Sequence, residues 1–197
     1  MFEYNEIHDV VLCSTDAGAI YSGFDWAAHG IVLRYNRISR LGGGPFRPSG
    51  IYWDDRLSGQ TAYGNIFIGV PGPSIMIGGG REITAVGNLI VRCDHAAIEY
   101  DDRYRDGYIR HGWAWRATQI PNGKCWRVLA QVPYTSTVWA ERYPRLAAVK
   151  ISPETDVDDP DFPINPAYST VRQFPQKKSG GIEKNDLLIE EEGKLWK

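Results

Sequence analysis

Two short phrases recur in the same order along the first hundred residues of this chain. In the first phrase, an Asn is followed two residues later by a large apolar residue, and the Asn residues are Asn5, Asn36, Asn65 and Asn88. The second phrase is centred on an isoleucine, at Ile20, Ile51, Ile75 and Ile98. The Asn intervals are 31, 29 and 23 residues, and the Ile intervals are 31, 24 and 23. A period in the twenties built from short β-rich runs predicts a solenoid of stacked coils.

Each predicted coil contains two or three short strands joined by turns. Because side chains alternate along a strand, the four isoleucines are expected to stack as one inward apolar column. The four asparagines are expected to stack at a turn, since Asn tolerates left-handed backbone and its amide can bond to the next coil. The chain is poor in Leu, which disfavours leucine-rich repeats, and the runs are too short for paired helices. The glycine- and proline-rich segment 41–49 is predicted to be a loop.

A family resemblance is carried by five segments within residues 1–103. They are Asp16–Tyr21, Gly50–Asp55, Tyr63–Phe67, Ile77–Arg81 and Gly87–Ile90. These segments resemble the right-handed parallel β-helix proteins of the pectin-lyase-like superfamily, in particular their carbohydrate-active bacterial members. The resemblance implies an all-β fold, a carbohydrate substrate, and a secreted or cell-surface location. Those proteins have more coils than four, so it also implies the C-terminal part of a longer helix. Docking to a missing N-terminal β-helix portion or to another chain is then expected.

Residues 104–197 show no continuation of the repeat. This half is predicted to contain a late coil or two and a loop-rich covering segment that protects the end of the helix from edge pairing. A short helix is expected within 134–151, capped by Ser136 or Thr137 and interrupted at Pro144. A further strand is expected at 168–174. The absence of a second repeat argues against an independent domain.

The candidate catalytic residues come from a triplet that occurs twice. Asp54-Asp55-Arg56 follows the second isoleucine phrase, and Asp101-Asp102-Arg103 follows the fourth, 47 residues later. Neighbouring coils lie about 4.8 Å apart, so the triplets are expected roughly 10 Å apart along the axis. The intervening coil carries Gly78–Gly80 at this register, which predicts a shallow groove with a bare backbone floor.

Paired carboxylates suit the hydrolysis of glycosidic bonds, where one donates a proton and the other activates water or attacks directly. The wide spacing favours inversion over retention. The alternative is a calcium site formed by Asp54, Asp55 and Asp101, as the family's lyases use. Arg81 or Arg103 would then hold an acidic sugar. The predicted substrate-binding residues are Asp16, Arg81, Arg103, Trp53, Tyr100 and His95.

Each of these residues also has a structural interpretation. The triplets could be turns with internal salt bridges, the glycines a plain turn, and the aromatic residues core packing. Three functional hypotheses therefore stay open. They are a glycoside hydrolase or lyase, a non-catalytic glycan-binding or adhesin-like β-helix, and an inactive fragment that has lost its catalytic coils.

Composition and charge limit the classes of partner that are expected. The net charge of −2 gives no electrostatic reason to expect nucleic acid or an anionic membrane. No apolar run approaches the roughly 20 residues of a membrane-spanning helix. The N-terminal residues 1–5 lack the basic start and apolar stretch of a signal peptide. The three cysteines have no metal-type spacing and are expected to be reduced thiols.

Overall fold

Twelve short strands wind into four stacked rungs of three strands each. The computed structural model describes residues 1–43, 45–80, 82–100, 124–149, 189–191 and 194–196. Rung 1 contains β1 (Phe2–Glu3), β2 (Glu6–His8) and β3 (Gly18–Gly23), and rung 2 contains β4 (Ile31–Arg34), β5 (Arg37–Ser39) and β6 (Ser49–Asp54). Rung 3 contains β7 (Gln60–Tyr63), β8 (Ile66–Ile68) and β9 (Ile75–Ile77), and rung 4 contains β10 (Thr84–Val86), β11 (Leu89–Val91) and β12 (Ile98–Tyr100).

The strands form three parallel sheets, with one strand from each rung in every sheet. Sheet A has the order β1-β4-β7-β10, sheet B the order β2-β5-β8-β11, and sheet C the order β3-β6-β9-β12. Because each rung winds in the same direction as the last, every pairing between neighbouring rungs is parallel. The prediction of an all-β solenoid of parallel strands is confirmed.

The core is a set of apolar columns that run from rung to rung. In sheet C, Ile20 pairs with Ile51, Ile51 with Ile75, and Ile75 with Ile98, as the sequence predicts. The corresponding inward columns are Ile7, Ile38, Phe67 and Ile90 in sheet B, and Phe2, Leu33, Ala62 and Ala85 in sheet A. The members from rungs 2 and 3 are almost fully buried, whereas Phe2 at the rung 1 end is 41% exposed.

An asparagine ladder closes the corner between sheets A and B, which we call the A–B corner. The Oδ1 atom of Asn65 accepts both the backbone N–H and the Nδ2 of Asn36, each at 3.0 Å. The same pair of hydrogen bonds joins Asn5 to Asn36 and Asn65 to Asn88. The predicted stacking is confirmed, but the left-handed residue is the one before each Asn. Those residues are Tyr4, Tyr35, Gly64 and Gly87, with φ between 56° and 64°.

The other two corners have variable lengths. The B–C corner has residues 9–17, 40–48, 69–74 and 92–97 in the four rungs, and the C–A corner has residues 24–30, 55–59 and 78–83. The A–B corner always has two residues. The uneven repeat intervals therefore arise from the B–C and C–A corners together with the strands of sheets A and C, since β3 and β6 have six residues and β9 and β12 have three.

Three short helices form a second apolar cluster against rung 1. They are α1 (Lys124–Leu129), α2 (Thr137–Arg142) and α3 (Pro144–Ala147). Trp26, from the C–A corner of rung 1, is buried among Cys125, Leu129, Leu146 and Val149. The predicted helix near residue 137 is present and a new one begins at Pro144, although Ser136 at the N-cap makes no side-chain capping bond.

The remaining described elements are β13 (Ile189–Glu191) and β14 (Lys194–Trp196), which pair antiparallel. None of the helices in the described ranges is long and apolar enough to cross a membrane. The strand predicted at 168–174 lies outside the described residues.

Candidate functional site

Asp54 lies at the C-terminal end of β6, where sheet C gives way to the C–A corner. Its Oδ2 accepts a hydrogen bond from the Tyr21 hydroxyl of rung 1 at 2.7 Å, and its Oδ1 accepts the backbone N–H of Asp55 at 2.8 Å. Asp54 and Asp55 are 5% and 6% exposed, and the following Arg56 is fully buried. The first triplet is therefore enclosed in the corner rather than spread along an open groove.

A second tyrosine–carboxylate contact lies beside the first on sheet C. The Tyr52 hydroxyl of rung 2 donates to Oδ1 of Asp16 in rung 1 at 3.1 Å. The Tyr21 and Tyr52 rings meet edge to face with centroids 5.3 Å apart. Each tyrosine therefore bonds a carboxylate of the other rung, and together they place Asp16 and Asp54 on one face.

The electrostatics of this face are dominated by its carboxylates. Burial raises the pKa of Tyr21 well above its usual range, and the hydrogen bond to Asp54 and the charges of Asp54, Asp55 and Asp16 add to that shift. All three carboxylates consequently act on the same hydroxyl. A ligand at this face would meet a half-exposed phenol, since Tyr21 is 51% exposed, backed by negative charge.

The glycine run of rung 3 packs directly beneath the first triplet. The Arg56 N–H donates to the Gly78 carbonyl at 2.8 Å. A Cβ atom on Gly80 would lie 2.1 Å from the Leu57 carbonyl oxygen, and φ at Gly80 is +87°. The space that a side chain on Gly80 would need is therefore occupied by the rung 2 backbone. This supports the interpretation of Gly78–Gly80 as a tight turn rather than as a groove floor.

Two aromatic residues that were predicted to bind substrate lie on the inward side of sheet C. Trp53 is 1% exposed and belongs to the main core, and Tyr100 packs against that core in the same column. The cause is the strand alternation: Ile51 and Ile98 point inward, so the residues two positions later do as well. Stacking of a sugar on Trp53 is incompatible with its burial.

His95 lies just before β12 and, like Asp16, is an exposed member of the predicted binding residues. Its Nδ1 is 3.1 Å from Oε2 of Glu99, and its side chain is 44% exposed. Glu99 occupies the outward column of sheet C, in register with Met76, which pairs in turn with Tyr52. His95 therefore belongs to the same outer face as Tyr21 and Tyr52, but two rungs further along.

A histidine–carboxylate contact at the C–A corner has no signal in the sequence. His29 of rung 1 places Nε2 2.7 Å from Oε2 of Glu82, and the histidine side chain is 1% exposed. The Tyr143 ring lies 5.3 Å from the imidazole and couples the pair to the helical cluster. The two residues are 53 positions apart, so only the rung register brings them together.

A row of exposed tyrosines lies at the A–B corner. The Tyr4 and Tyr35 rings stack with centroids 5.2 Å apart, and Tyr35 meets Tyr63 at 5.4 Å. The Arg34 guanidinium lies over the Tyr35 ring at 5.5 Å. The pKa of Tyr35 is raised mainly by a hydrogen bond with Tyr63 and to a smaller extent by burial. These three rings are all exposed, and none of them was among the predicted binding residues.

Several predicted site residues lie outside the described residues. They are Arg81, Asp101, Asp102 and Arg103. The second triplet and the separation between the two carboxylate pairs therefore stay predictions. Within the described ranges, no three His, Cys, Asp or Glu residues are grouped so that they could hold a metal ion. Comparison with protein-family models, with curated proteins and with solved structures found no match.

Proposed function

We propose that this chain is a carbohydrate-active β-helix of the glycoside hydrolase type, which binds its substrate across the outer face of sheet C. The observation that carries the proposal is the hydrogen bond from Tyr21 to Asp54, beside the matching contact from Tyr52 to Asp16. Tyr21 and Asp16 are exposed and can reach sugar hydroxyls, while Asp54 and Tyr52 lie buried behind them and hold them in place. The pectin-lyase-like resemblance adds the right-handed winding and a longer helix to the proposal.

The reaction requires two carboxyl groups with different roles. Asp54 is proposed as the group that activates water or attacks the sugar, since Tyr21 and the Asp55 N–H orient both of its oxygens. One residue of the pair Asp101 and Asp102 is proposed as the proton donor, two rungs along the axis. Asp16 and His95 would bind substrate hydroxyls, and Arg81 or Arg103 would hold the carboxylate of an acidic sugar.

The lyase alternative assigns the same residues differently. Asp54, Asp55 and Asp101 would hold calcium, and the ion would bridge to an acidic sugar. Only Asp54 and Asp55 of this set are described, and they are buried beside each other.

A second candidate function is glycan binding without catalysis. It is favoured by the exposed row of Tyr4, Tyr35 and Tyr63, because aromatic faces supply large contact area with a polar edge. This surface lies at the A–B corner, so it is separate from the carboxylate face on sheet C.

The experiment is a screen of plant and host polysaccharides with and without calcium. New reducing ends would report hydrolysis, and absorbance of unsaturated products would report elimination. Asp54→Asn is expected to abolish the activity found, whereas Asp9→Asn, on the opposite corner, should keep it. Full activity in a folded Asp54→Asn variant would refute the catalytic assignment. Retardation of the chain by an immobilised glycan, lost in Tyr35→Ala and kept in Asp54→Asn, would support the binding function instead.

A further inference from the structure

The edge of rung 1 is an unpaired sheet edge above an incompletely covered core. Within the described chain, β1, β2 and β3 hydrogen-bond only with rung 2. Phe2 is 41% exposed, although its column partners Leu33 and Ala62 are 4% and 0% exposed, and Leu12 nearby is 56% exposed. An edge of this kind is a ready template for another strand.

The polarity of the asparagine ladder indicates what the rung 1 edge would accept. Each Asn donates two hydrogen bonds to the Oδ1 of the Asn in the following rung. Asn5 donates in this way to Asn36, but no donor within the described chain reaches the Oδ1 of Asn5. An occupant that continues the ladder must therefore carry an Asn at its own A–B corner.

The charges beside Asn5 define the occupant further. Glu3 binds Arg34 through Oε2, and Glu6 binds Arg37 through Oε1, so each carboxylate uses one oxygen on rung 2. Like charges directly opposite one another destabilise a sheet, whereas opposite charges stabilise it. The occupant should therefore carry cationic side chains opposite Glu3 and Glu6.

The exposed Tyr4 ring completes the pattern. Tyr4 is 74% exposed and stacks on Tyr35 on one side. We propose that rung 1 docks a β-solenoid rung from outside residues 1–197, whose A–B corner has a basic–aromatic–Asn–basic sequence. Arg34-Tyr35-Asn36-Arg37 of rung 2 is one example of such a corner. This proposal does not depend on the carbohydrate proposal.

A second copy docked through the described rungs does not fit the rung 1 edge. Rung 1 facing rung 1 would place Glu3 and Glu6 against carboxylates of the same kind. Rung 4, the last of the described rungs, carries Val86 and Leu89 in the columns of Glu3 and Glu6, so it offers no cation at either position. The partner chemistry is therefore that of rung 2 and not that of rung 1 or rung 4.

The test supplies that chemistry in a known register. Residues 31–60 are linked ahead of Met1 of the full chain through a flexible linker with a protease site. Leu33 of rung 2 pairs with Phe2 on one side and with Ala62 on the other. A linked copy of rung 2 can therefore place its Leu33 next to Phe2 in the position of a preceding rung. The control carries Arg34→Glu and Arg37→Glu in the linked copy only. Hydrogen exchange of residues 1–10 and 18–23 is measured before cleavage, and retention of the released segment on a sizing column is measured after it.

The expected result is that exchange in β1–β3 slows by about tenfold or more with the native copy. The native copy should also stay bound after cleavage, and the charge-reversed copy should do neither. Equal behaviour of the two copies, whether both bind or neither does, would overturn the proposal. Concentration-dependent protection of β1–β3 in the parent chain would identify a second copy as the occupant and would overturn it as well.

Discussion

Asn65 receives two hydrogen bonds from Asn36 at its Oδ1 and passes two more from its Nδ2 to Asn88 and to the Leu33 carbonyl. It is fully buried at the A–B corner. Replacing Asn65 by Ala would remove the side-chain partner of the Asn36 N–H and of the Leu33 carbonyl inside the core, while the Asn36 Nδ2 would keep its bond to the Phe2 carbonyl. The Asn65→Ala variant is therefore expected to lose about 2–3 kcal/mol of unfolding free energy.

The matched control for that prediction is Asn5→Ala at the exposed end of the same ladder. Asn5 donates to Asn36 but accepts no ladder bond within the described chain, so the loss should be below about 1 kcal/mol. Urea-induced unfolding of both variants measures the difference. Equal losses of unfolding free energy at the two positions would show that burial does not determine how much each ladder Asn contributes.

Tyr21→Phe tests the cross-rung contact with Asp54. Removing the hydroxyl takes one donor from a buried carboxylate, so we expect a loss of about 1–2 kcal/mol at neutral pH. Tyr52→Phe, whose acceptor Asp16 is exposed, is the control and should lose less than about 0.5 kcal/mol. Thermal unfolding at pH 7 compares the two variants.

The pH dependence of Tyr21 follows from the direction of its pKa shift. Its pKa in the folded chain is raised, chiefly by burial and then by the bond to Asp54. The stabilisation that accompanies this shift is fully present below the ordinary tyrosine pKa of about 10 and is lost as the pH rises above it. Wild type should therefore lose stability above about pH 10 more steeply than Tyr21→Phe. Parallel alkaline profiles for the two proteins would contradict this assignment.

Gly80→Ala tests whether the glycine run is a tight turn. A methyl group there would meet the Leu57 carbonyl at 2.1 Å and would also have to adopt φ +87°. We expect a loss of about 3 kcal/mol or more, because the rung 2 turn must move. Gly69→Ala is the control: φ is +62°, but nothing lies within 4 Å, so only the backbone term of about 1 kcal/mol applies. Chemical denaturation of both variants decides between crowding and backbone conformation.

Asp9 offers a direct electrostatic measurement. Hydrogen bonds from Arg40, and then from His8, lower the pKa of the Asp9 carboxyl far below its usual range. The associated stabilisation is present above the ordinary pKa of about 4 and is lost as the pH falls through the folded value. Titration by nuclear magnetic resonance should show this low pKa in wild type and a return towards the ordinary value in Arg40→Gln. Arg47→Gln, which removes an exposed arginine elsewhere, should leave the Asp9 titration unchanged.

The rung architecture was predictable because its evidence is periodic. The isoleucine column and the asparagine ladder depend on residues that recur in every rung, so their spacing alone places them on top of one another. The inward position of Trp53 was equally predictable from alternation, since it lies two residues after Ile51, but the sequence analysis weighted its chemistry above its register.

The contacts at the C–A corner were not predictable in the same way. The pair of His29 with Glu82 joins C–A corners of unequal length, whereas Tyr21 and Asp54 lie in paired strands but not directly opposite each other. No spacing in the sequence repeats there, so the partners emerge only once the register and the loop paths are known. The glycine run shows the same limit: its composition fits a groove floor and a packed turn equally, and only the position of the Leu57 carbonyl separates them.

The constant two-residue corner between sheets A and B divides the solenoid into a fixed edge and two adjustable edges. Every rung passes through that corner with one left-handed residue and one laddered Asn, so a length change there would displace all later rungs. The B–C corner already has nine residues in rungs 1 and 2 and six in rungs 3 and 4 without any change in strand pairing. Foreign sequence inserted after Gly43, beyond the buried Leu41, should therefore leave the scaffold unaltered, which makes this edge the natural place for the protein to diversify what it presents.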